Sequence, residues 1–192
     1  HQVYVVDVAS REVRRISSET RGGCEPRFTP DGRSVVYVNR GFGVPRSQLV
    51  AHDLETGRER ALVDWPAFSY DPAFSPDGTK LALTLSKSGN PEIYVMDIAS
   101  RSLRQITTHY GIDTEAVWMP DGQSLLFTSD RGGKPQIYQI STAGGEAKRV
   151  TFSGEYNARA TVSYDGRKVA TAQGTGSIYR IALLDRSFGG NG

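Results

Sequence analysis

Cysteine is almost missing from this chain of 192 residues, because Cys24 is the only one. A disulfide within the chain is therefore excluded, and the redox compartment is left open. A lone cysteine is either a small buried hydrophobe or a reactive thiol, and we expect Cys24 to be buried.

Long apolar runs are missing as well. No stretch approaches the roughly 18 consecutive apolar residues that a membrane-spanning helix needs, so we predict no membrane span. The chain opens on "HQVYVVDVAS", which has neither a charged leader nor a cleavage site. We therefore expect that a secretory signal, if there was one, has been removed or lies upstream.

The chain also lacks an excess of charge of one sign. Its 23 Lys and Arg residues nearly balance its 21 Asp and Glu residues, and the charges are scattered along the sequence. A protein that binds nucleic acid needs a basic stripe to neutralise phosphates. We therefore expect no nucleic-acid partner.

Motifs for catalysis and cofactor binding are absent. The three histidines, His1, His52 and His109, are too far apart for metal-ligand spacing. There is no Gly-x-Ser-x-Gly nucleophile motif, and "GTGSIY" at residue 174 lacks the third glycine and the helix of a phosphate-binding loop. We predict a protein that is not an enzyme, with no catalytic residue, cofactor or metal.

One phrase, by contrast, occurs four times. It reads "FTPDGRSVVY" from residue 28, "FSPDGTKLAL" from 74, "WMPDGQSLLF" from 118 and "VSYDGRKVAT" from 162. Its aspartates, Asp31, Asp77, Asp121 and Asp165, are 46, 44 and 44 residues apart. Asp-Gly favours a tight turn, since glycine accepts a positive φ and aspartate caps its own backbone. A unit of about 44 residues is therefore repeated, with a hairpin turn in each copy.

The unit contains four short strands and no helix. In residues 72–107, "PAFS" leads into the turn, and "KLALTL", "EIYVMDI" and "LRQIT" follow between breaker-rich loops. Four strands per 44 residues are typical of one propeller blade. We predict an all-β propeller of about four four-stranded antiparallel blades, with about seventeen strands in all. It forms a single domain over 1–192, with boundaries at a partial blade 1–18 and blades of about 19–64, 65–108, 109–152 and 153–192.

Most recurring residues have a structural interpretation. Aromatic residues at equivalent blade positions are expected in the core between sheets: Phe74, Tyr94, Trp118, Tyr138 and Tyr179. The aspartates of the third strand, Asp7, Asp53 and Asp97, are expected to bond nearby backbone groups or Ser/Thr hydroxyls. We assign catalysis to none of them.

Asp113 and Glu115 are two residues apart, as are residues on one face of a strand. Such a carboxylate pair can act as acid and base or bind a cation. At the entry to an innermost strand, the pair is equally consistent with a solvated channel mouth that holds a water or an ion. Both interpretations stay open from the sequence.

The loops that join one blade to the next lie on one face of a propeller, and loops on a rigid scaffold commonly carry recognition. Here they are 20–25, 66–71, 109–115 and 154–159, and they combine glycine with aromatic residues and arginine, which protein interfaces favour. We predict a protein-binding face. The predicted contacts are Tyr70, Asp71, His109, Tyr110, Asp113, Thr114, Glu115, Tyr156, Asn157 and Arg159.

The Asp-Gly blades with "IYVMD" and "RQIT" resemble the WD40-like propeller repeat of the TolB family, which also occurs in prolyl oligopeptidase-type peptidases. The likeness is close over residues 67–185 and weaker over residues 1–66. It is carried by "PAFSPDGTKLALTLSKSGNPEIYVMDIASRSLRQIT", "TEAVWMPDGQSLLFTSDRGGKPQIY" and "NARATVSYDGRKVA".

The resemblance implies a periplasmic scaffold of the Tol-Pal cell-envelope system, which supports outer-membrane integrity. It also implies that the loop face binds the peptidoglycan-associated lipoprotein. "TEAVW" matches the family's loop entry, so Thr114 and Glu115 are carried over as contacts. The family has six blades behind a separate α/β domain, and this sequence carries fewer blades and no such domain.

Two alternatives stay open. The chain could be a propeller related to the peptidases, without their catalytic domain. It could also be an engineered or truncated propeller that completes its ring as a homo-oligomer, or by pairing "VYVVDVAS" and "EVRRIS" with the closing blade. The out-of-phase start favours ring completion, because an unpaired strand edge invites pairing.

Overall fold

A computed structural model of the chain describes residues 1–18, 22–39, 47–63 and 69–185. Loop residues 20, 21 and 66–68, and the predicted blade boundaries at 19, 64, 65 and 192, lie outside the described residues. Seventeen strands and no helix occur in the described part, which confirms the predicted all-β class.

The strands form five antiparallel sheets in chain order. The first sheet contains β1 (Tyr4–Val6) and β2 (Val13–Arg15). The second contains β3 (Cys24–Phe28), β4 (Ser34–Asn39), β5 (Gln48–Asp53) and β6 (Glu59–Val63). The third contains β7 (Ser69–Phe74), β8 (Lys80–Leu85), β9 (Glu92–Asp97) and β10 (Leu103–Gln105). The fourth contains β11 (Asp113–Trp118), β12 (Ser124–Ser129), β13 (Gln136–Ser141) and β14 (Lys148–Arg149). The fifth contains β15 (Tyr156–Val162), β16 (Lys168–Thr175) and β17 (Ile178–Asp185).

Each sheet is a meander, and successive sheets pack face to face around a common channel. The innermost strands β3, β7, β11 and β15 contact one another in sequence. This arrangement is that of propeller blades, so the predicted fold is confirmed. The fifth sheet has three strands rather than four among the described residues.

The opening strands do not pair with the closing sheet. Within the described residues, β1 and β2 pair only with each other, and their inner face, with Val3 and Ile16, packs on Val35 and Tyr37 of the second sheet. The predicted closure by strand pairing inside the chain is therefore wrong. Packing against the second sheet already uses the apolar face of this hairpin.

The core lies between the sheets. Leu49 and Val38 of the second sheet pack on Leu83 and Leu85 of the third, and all four are fully buried. Cys24 packs against the same cluster but is half-buried.

The aromatic residues predicted for the core fall into two groups. Tyr94, Trp118 and Tyr138 are buried, and Phe74 packs against the core. Tyr179 is 67% exposed, so its assignment to the core is wrong. It lies on the outer face of the last described sheet, which no further described sheet covers.

The predicted turns form as expected. Gly122 has φ +66°, and its N–H donates to the Met119 carbonyl at 2.9 Å. In the equivalent turn, Asp77 Oδ1 accepts from the Ser75 hydroxyl at 2.5 Å and from the Thr79 N–H at 3.0 Å. These hydrogen bonds, that from Ser75 first, lower the pKa of Asp77 to about 2.

The third-strand aspartates close the other hairpins. Asp97 Oδ1 accepts from both the N–H and the hydroxyl of Ser100 at 2.8 Å. Asp7 makes the same pair of bonds with Ser10, and Asp53 makes it with Thr56. Their expected role in capping nearby groups is confirmed.

We predict that Gly122→Val lowers the free energy of unfolding by about 1–2 kcal/mol, the cost of a left-handed conformation for a residue with a side chain. An added Cβ would meet only the Pro76 ring, at 3.9 Å, so the cost comes from the backbone. Gly122→Asn is the control, because asparagine tolerates this region, and urea unfolding measures both. Equal losses in the two variants would contradict this origin.

Candidate binding face and central channel

Each of the four innermost strands contains a bulge with a residue in the left-handed conformation. These residues are Glu25 (φ 55°), Asp71 (φ 53°), Glu115 (φ 57°) and Arg159 (φ 55°). The strand register shifts at all four places. A non-glycine residue in this region costs on the order of 1–3 kcal/mol, so four equivalent cases need a compensating interaction.

The compensation is a chain of hydrogen bonds from blade to blade. The Asp71 N–H donates to Glu25 Oε2 at 2.8 Å, and the Glu115 N–H donates to Asp71 Oδ2 at 3.3 Å. The Arg159 N–H donates to Glu115 Oε2 at 3.1 Å. Three of the four bulges therefore turn their N–H toward the carboxylate of the preceding blade, and Glu25 supplies the first of these carboxylates, so the strained positions join the sheets. We call these four residues the channel relay.

The last two residues of the channel relay, Glu115 and Arg159, also form an ion pair. Arg159 Nε lies 3.0 Å from Glu115 Oε1, and the Thr128 hydroxyl donates to Glu115 Oε2 at 2.8 Å. The Glu115 carboxylate therefore has partners on its own blade (Thr128) and on the next blade (Arg159). The Arg159 side chain is 80% exposed, so its outer part is open to a partner.

Asp71 sits between two other carboxylates. Burial raises its pKa to about 6, and the charges of Glu25 and Glu115 act in the same direction. The three side chains and Arg159 line a cavity of about 350 Å³ at the centre of the blades.

Tyr110 is the most exposed of the predicted contacts, with 86% of its surface open. Its ring lies 4.1 Å from that of His109, centroid to centroid. The loop beneath it is fixed by side chains of two blades: Asn90 Nδ2 donates to the His109 and Gly111 carbonyls at 2.8 Å. From the other side, Asp130 Oδ1 accepts from the Ile112 N–H at 2.8 Å. The loop 108–112 therefore presents Tyr110 on a preformed support.

The neighbouring loop carries a second aromatic group. Tyr156 is half-buried and packs edge to face on Tyr179, with 5.7 Å between ring centroids. Beside it, Lys134 Nζ lies 3.0 Å from Glu155 Oε2 in an exposed ion pair, which contributes little to stability. Tyr70 and Thr114 are half-buried on the innermost strands.

Two predicted contacts lie elsewhere. Asp113 and Asn157 are both fully buried. Asp113 Oδ2 accepts from Arg131 Nη2 at 2.6 Å, and Asn157 Nδ2 donates to Gln136 Oε1 at 3.0 Å. The Asn157 bond joins two adjacent blades, whereas Asp113 and Arg131 belong to the same blade. Neither buried side chain is open to a partner, so their prediction as surface contacts is wrong. Sequence reasoning could not see this, because polar residues at a loop entry are usually exposed.

The predicted carboxylate pair does not form. Asp113 binds Arg131, whereas Glu115 binds Arg159 and Thr128. The bulge between Thr114 and Val117 interrupts the alternation of the strand, so a spacing of two does not give one face. In the described part of the chain, no group of three metal-ligating side chains is found.

Glu25 and Glu92 were not singled out from the sequence, although each accepts a hydrogen bond at a joint between blades. Arg131, which binds Asp113 within one blade, was not singled out either. Glu25 shares the repeat spacing of Asp71 and Glu115, and this spacing is the signal that could have found it. Residue type gives no such signal, because the four relay positions hold Glu, Asp, Glu and Arg.

Comparison with known proteins agrees with this geometry. A family model described as "TolB beta propeller domain" matches residues 40–191. This chain belongs to the TolB β-propeller family. The Tol-Pal system protein TolB of Gluconobacter oxydans (strain 621H) is 41% identical over 86 residues, which are 45% of this chain and 18% of that protein. The resemblance predicted from the repeats is therefore confirmed.

Solved structures of the TolB family show the same fold. The crystal structure of TolB from Acinetobacter baumannii superposes with a TM-score of 0.86 at 39% identity, over 98% of this chain and 47% of that chain. The present chain thus spans about half the length of that relative. A puromycin hydrolase superposes with a TM-score of 0.71 at 18% identity, over 93% of this chain and 29% of its own, which shows a shared propeller fold only.

We predict that Asp71→Asn stabilises the protein at neutral pH. Asp71 has a folded pKa of about 6 against an ordinary value of 3.8, so its contribution is fully present below pH 3.8 and is lost as the pH rises through 6. Asparagine keeps an acceptor for the Glu115 N–H and cannot ionise. The gain at pH 7 should be on the order of 2 kcal/mol and should vanish near pH 4.

Urea unfolding at several pH values tests this shift. Asp77→Asn is the control, because the pKa of Asp77 is lowered to about 2 and its stabilising effect is lost as the pH falls. Asp77→Asn should therefore not stabilise the protein at pH 7. A gain for Asp71→Asn that is the same at pH 4 and pH 7 would refute the role of its charge.

Proposed function

We propose that this chain is a non-enzymatic, protein-binding propeller of the Tol-Pal system. Its contact face consists of the exposed and half-buried residues of loops 108–115 and 154–159, without the buried Asp113 and Asn157. The observation that carries the proposal is Tyr110: a large aromatic side chain, 86% exposed, on a loop held from two blades. Exposed aromatic residues on rigid supports are typical centres of protein interfaces.

The composition of this face supports a protein partner. Ile112 is also exposed. Phe152, which precedes the second loop, is exposed as well, and Arg149 stacks over its ring at 5.3 Å. The guanidinium of Arg159 adds a charged group with a planar set of donors. Because the loops are already ordered by side-chain bonds, little conformational entropy is lost on binding. A partner surface with apolar and acidic groups would match these contacts.

The family resemblance supports one particular partner for a first test. The relatives are named as Tol-Pal system proteins, and the TolB resemblance implies a periplasmic protein that binds the peptidoglycan-associated lipoprotein and supports outer-membrane integrity. We take this lipoprotein as the first partner to test. In the described residues, no helix is long and apolar enough to cross a membrane.

We predict that Tyr110→Ala weakens binding of the soluble lipoprotein domain at least tenfold, since truncating a central interface aromatic costs about 2 kcal/mol or more. Tyr164→Ala is the matched control: Tyr164 is fully exposed, but it lies on a turn at the opposite face. Titration calorimetry with both variants measures the difference. Equal affinities would exclude this face, and no binding at high micromolar concentration would exclude this partner.

A second proposal concerns the outer faces of the first and fifth sheets. The outer face of the first sheet exposes Tyr4, Val6 and Val13, and that of the fifth exposes Tyr179, Ile181 and Leu183. Uncovered apolar sheet faces favour association, so a second copy of this chain could complete the ring.

We predict that the chain then has a solution mass that is a multiple of 21.0 kDa. Ile181→Lys should shift the mass toward that of the monomer, because a charge on the joined face opposes association. Arg180→Lys, on the same strand, is the control. Light scattering at two protein concentrations measures the mass. A monomer at both concentrations would exclude completion by a second copy.

A further inference from the structure

Two carboxyl groups lie within hydrogen-bonding reach of each other in the joint between the third and fourth sheets. Glu92 is the first residue of β9 and is 1% exposed, and Asp113 is the first residue of β11 and is 0% exposed. The strands are fixed side by side here, since the Asp113 N–H donates to the Pro91 carbonyl at 3.0 Å. Two buried acids in contact cannot both be ionised without a large cost.

The surrounding donors satisfy three of the four carboxyl oxygens. Glu92 Oε2 accepts from the Thr107 hydroxyl at 2.5 Å, and Oε1 accepts from the His109 N–H at 2.7 Å. Asp113 Oδ2 accepts from Arg131 Nη2 at 2.6 Å. Asp113 Oδ1 is buried and has no donor. A buried acceptor without a donor costs about 1–3 kcal/mol.

The next joint shows how the same geometry is satisfied without charge. There, Gln136 and Asn157 occupy the equivalent positions, and the Asn157 N–H donates to the Pro135 carbonyl at 2.8 Å. Asn157 Nδ2 donates to Gln136 Oε1 at 3.0 Å, and the Thr151 hydroxyl donates to the same oxygen at 2.7 Å. An amide hydrogen therefore links the two side chains. Between Glu92 and Asp113, only an acidic proton can make this link.

The electrostatics of the pair agree with such a proton. Burial raises the pKa of Glu92 above its ordinary value of 4.5, and the charge and hydrogen bond of Asp113 raise it further, against the lowering effect of the bonds from His109 and Thr107. The charged or titratable groups around the pair are Arg131, which binds Asp113, and His109 and Asp130 of the adjoining loops. Arg131 compensates one negative charge, so a second charge on Glu92 has no cation to bind.

We propose that Glu92 holds one proton and shares it with Asp113 Oδ1 through a hydrogen bond, that this proton fixes the loop 108–112, and that its loss at higher pH loosens the loop. The His109 N–H is bonded directly to Glu92, and the loop ends at Asp113, so both ends of the segment are attached to the pair. The shared proton is a property of the joint alone. Its consequence for recognition rests on the proposed function, in which this loop carries Tyr110.

The linkage between protonation and loop closure sets the direction of the pH dependence. An acid with a raised folded pKa stabilises the closed state fully below its ordinary pKa of 4.5, and this contribution is lost as the pH rises through the folded pKa. The opening equilibrium constant of the loop should therefore increase with pH by up to tenfold per unit, the limit for one proton. Glu92→Gln supplies a permanent amide donor, as in the Gln136–Asn157 joint, and should abolish the dependence.

Amide hydrogen exchange measured by NMR from about pH 5 to pH 8, corrected for intrinsic exchange, tests the proposal. In the wild-type chain, opening at the His109 and Ile112 amides should increase with pH, whereas the Asn157 amide of the neighbouring joint should show no such increase. In Glu92→Gln, the opening of all three amides should not change with pH. The proposal would be overturned if the opening of the His109 amide increased equally with pH in the wild type and in Glu92→Gln.

A second measurement is independent of the variant's folding. The ¹³C shift of the Glu92 side-chain carboxyl in the wild-type chain should titrate well above pH 4.5, and titration at the ordinary value would overturn the proposal. Neither experiment uses a partner, so both can succeed if the lipoprotein does not bind. If it binds, its affinity should fall as the pH rises in the wild type and fall less in Glu92→Gln.

Discussion

The structure depends on one constraint: each sheet has an apolar face that only its neighbour can cover. A four-stranded sheet of six-residue strands is too small to bury its own side chains, so Leu49 and Leu83 become buried only where two sheets meet. Stability is therefore located in the joints, and several polar side chains bridge them as well. The Trp118 indole, which donates to the Ala73 carbonyl at 2.8 Å, is one such link between sheets.

The joints also explain why strained residues recur. A left-handed residue in a strand is unfavourable by itself, but in the last three of the four bulges it turns its N–H toward a carboxylate of the preceding blade. The carboxylates of Glu25, Asp71 and Glu115 accept these groups, so the strain and the inter-blade bond are two parts of one device. This arrangement places Asp71, partly buried, between the carboxylates of Glu25 and Glu115, and the ionised form of Asp71 is therefore disfavoured.

The sequence predicts what is local and repeated. The Asp-Gly turns, the capping aspartates such as Asp97, and the buried Tyr94 and Tyr138 were found because their spacing is regular and their residue types have one strong preference. Burial of Asp113 and exposure of Tyr179 were missed, because each depends on the presence or absence of another sheet. The bulges were missed for a different reason: a conformation recurs there without a recurring residue type.

The contact loop cannot be separated from these joints. Residues 108–112 are held by Asn90 and Glu92 of the third blade and by Asp130 of the fourth. The position of Tyr110 therefore depends on the packing of these two blades against each other. Any change that alters the joint therefore alters the surface that a partner would meet, without touching the exposed residues. In the proposed function, recognition and stability therefore depend on the same hydrogen bonds.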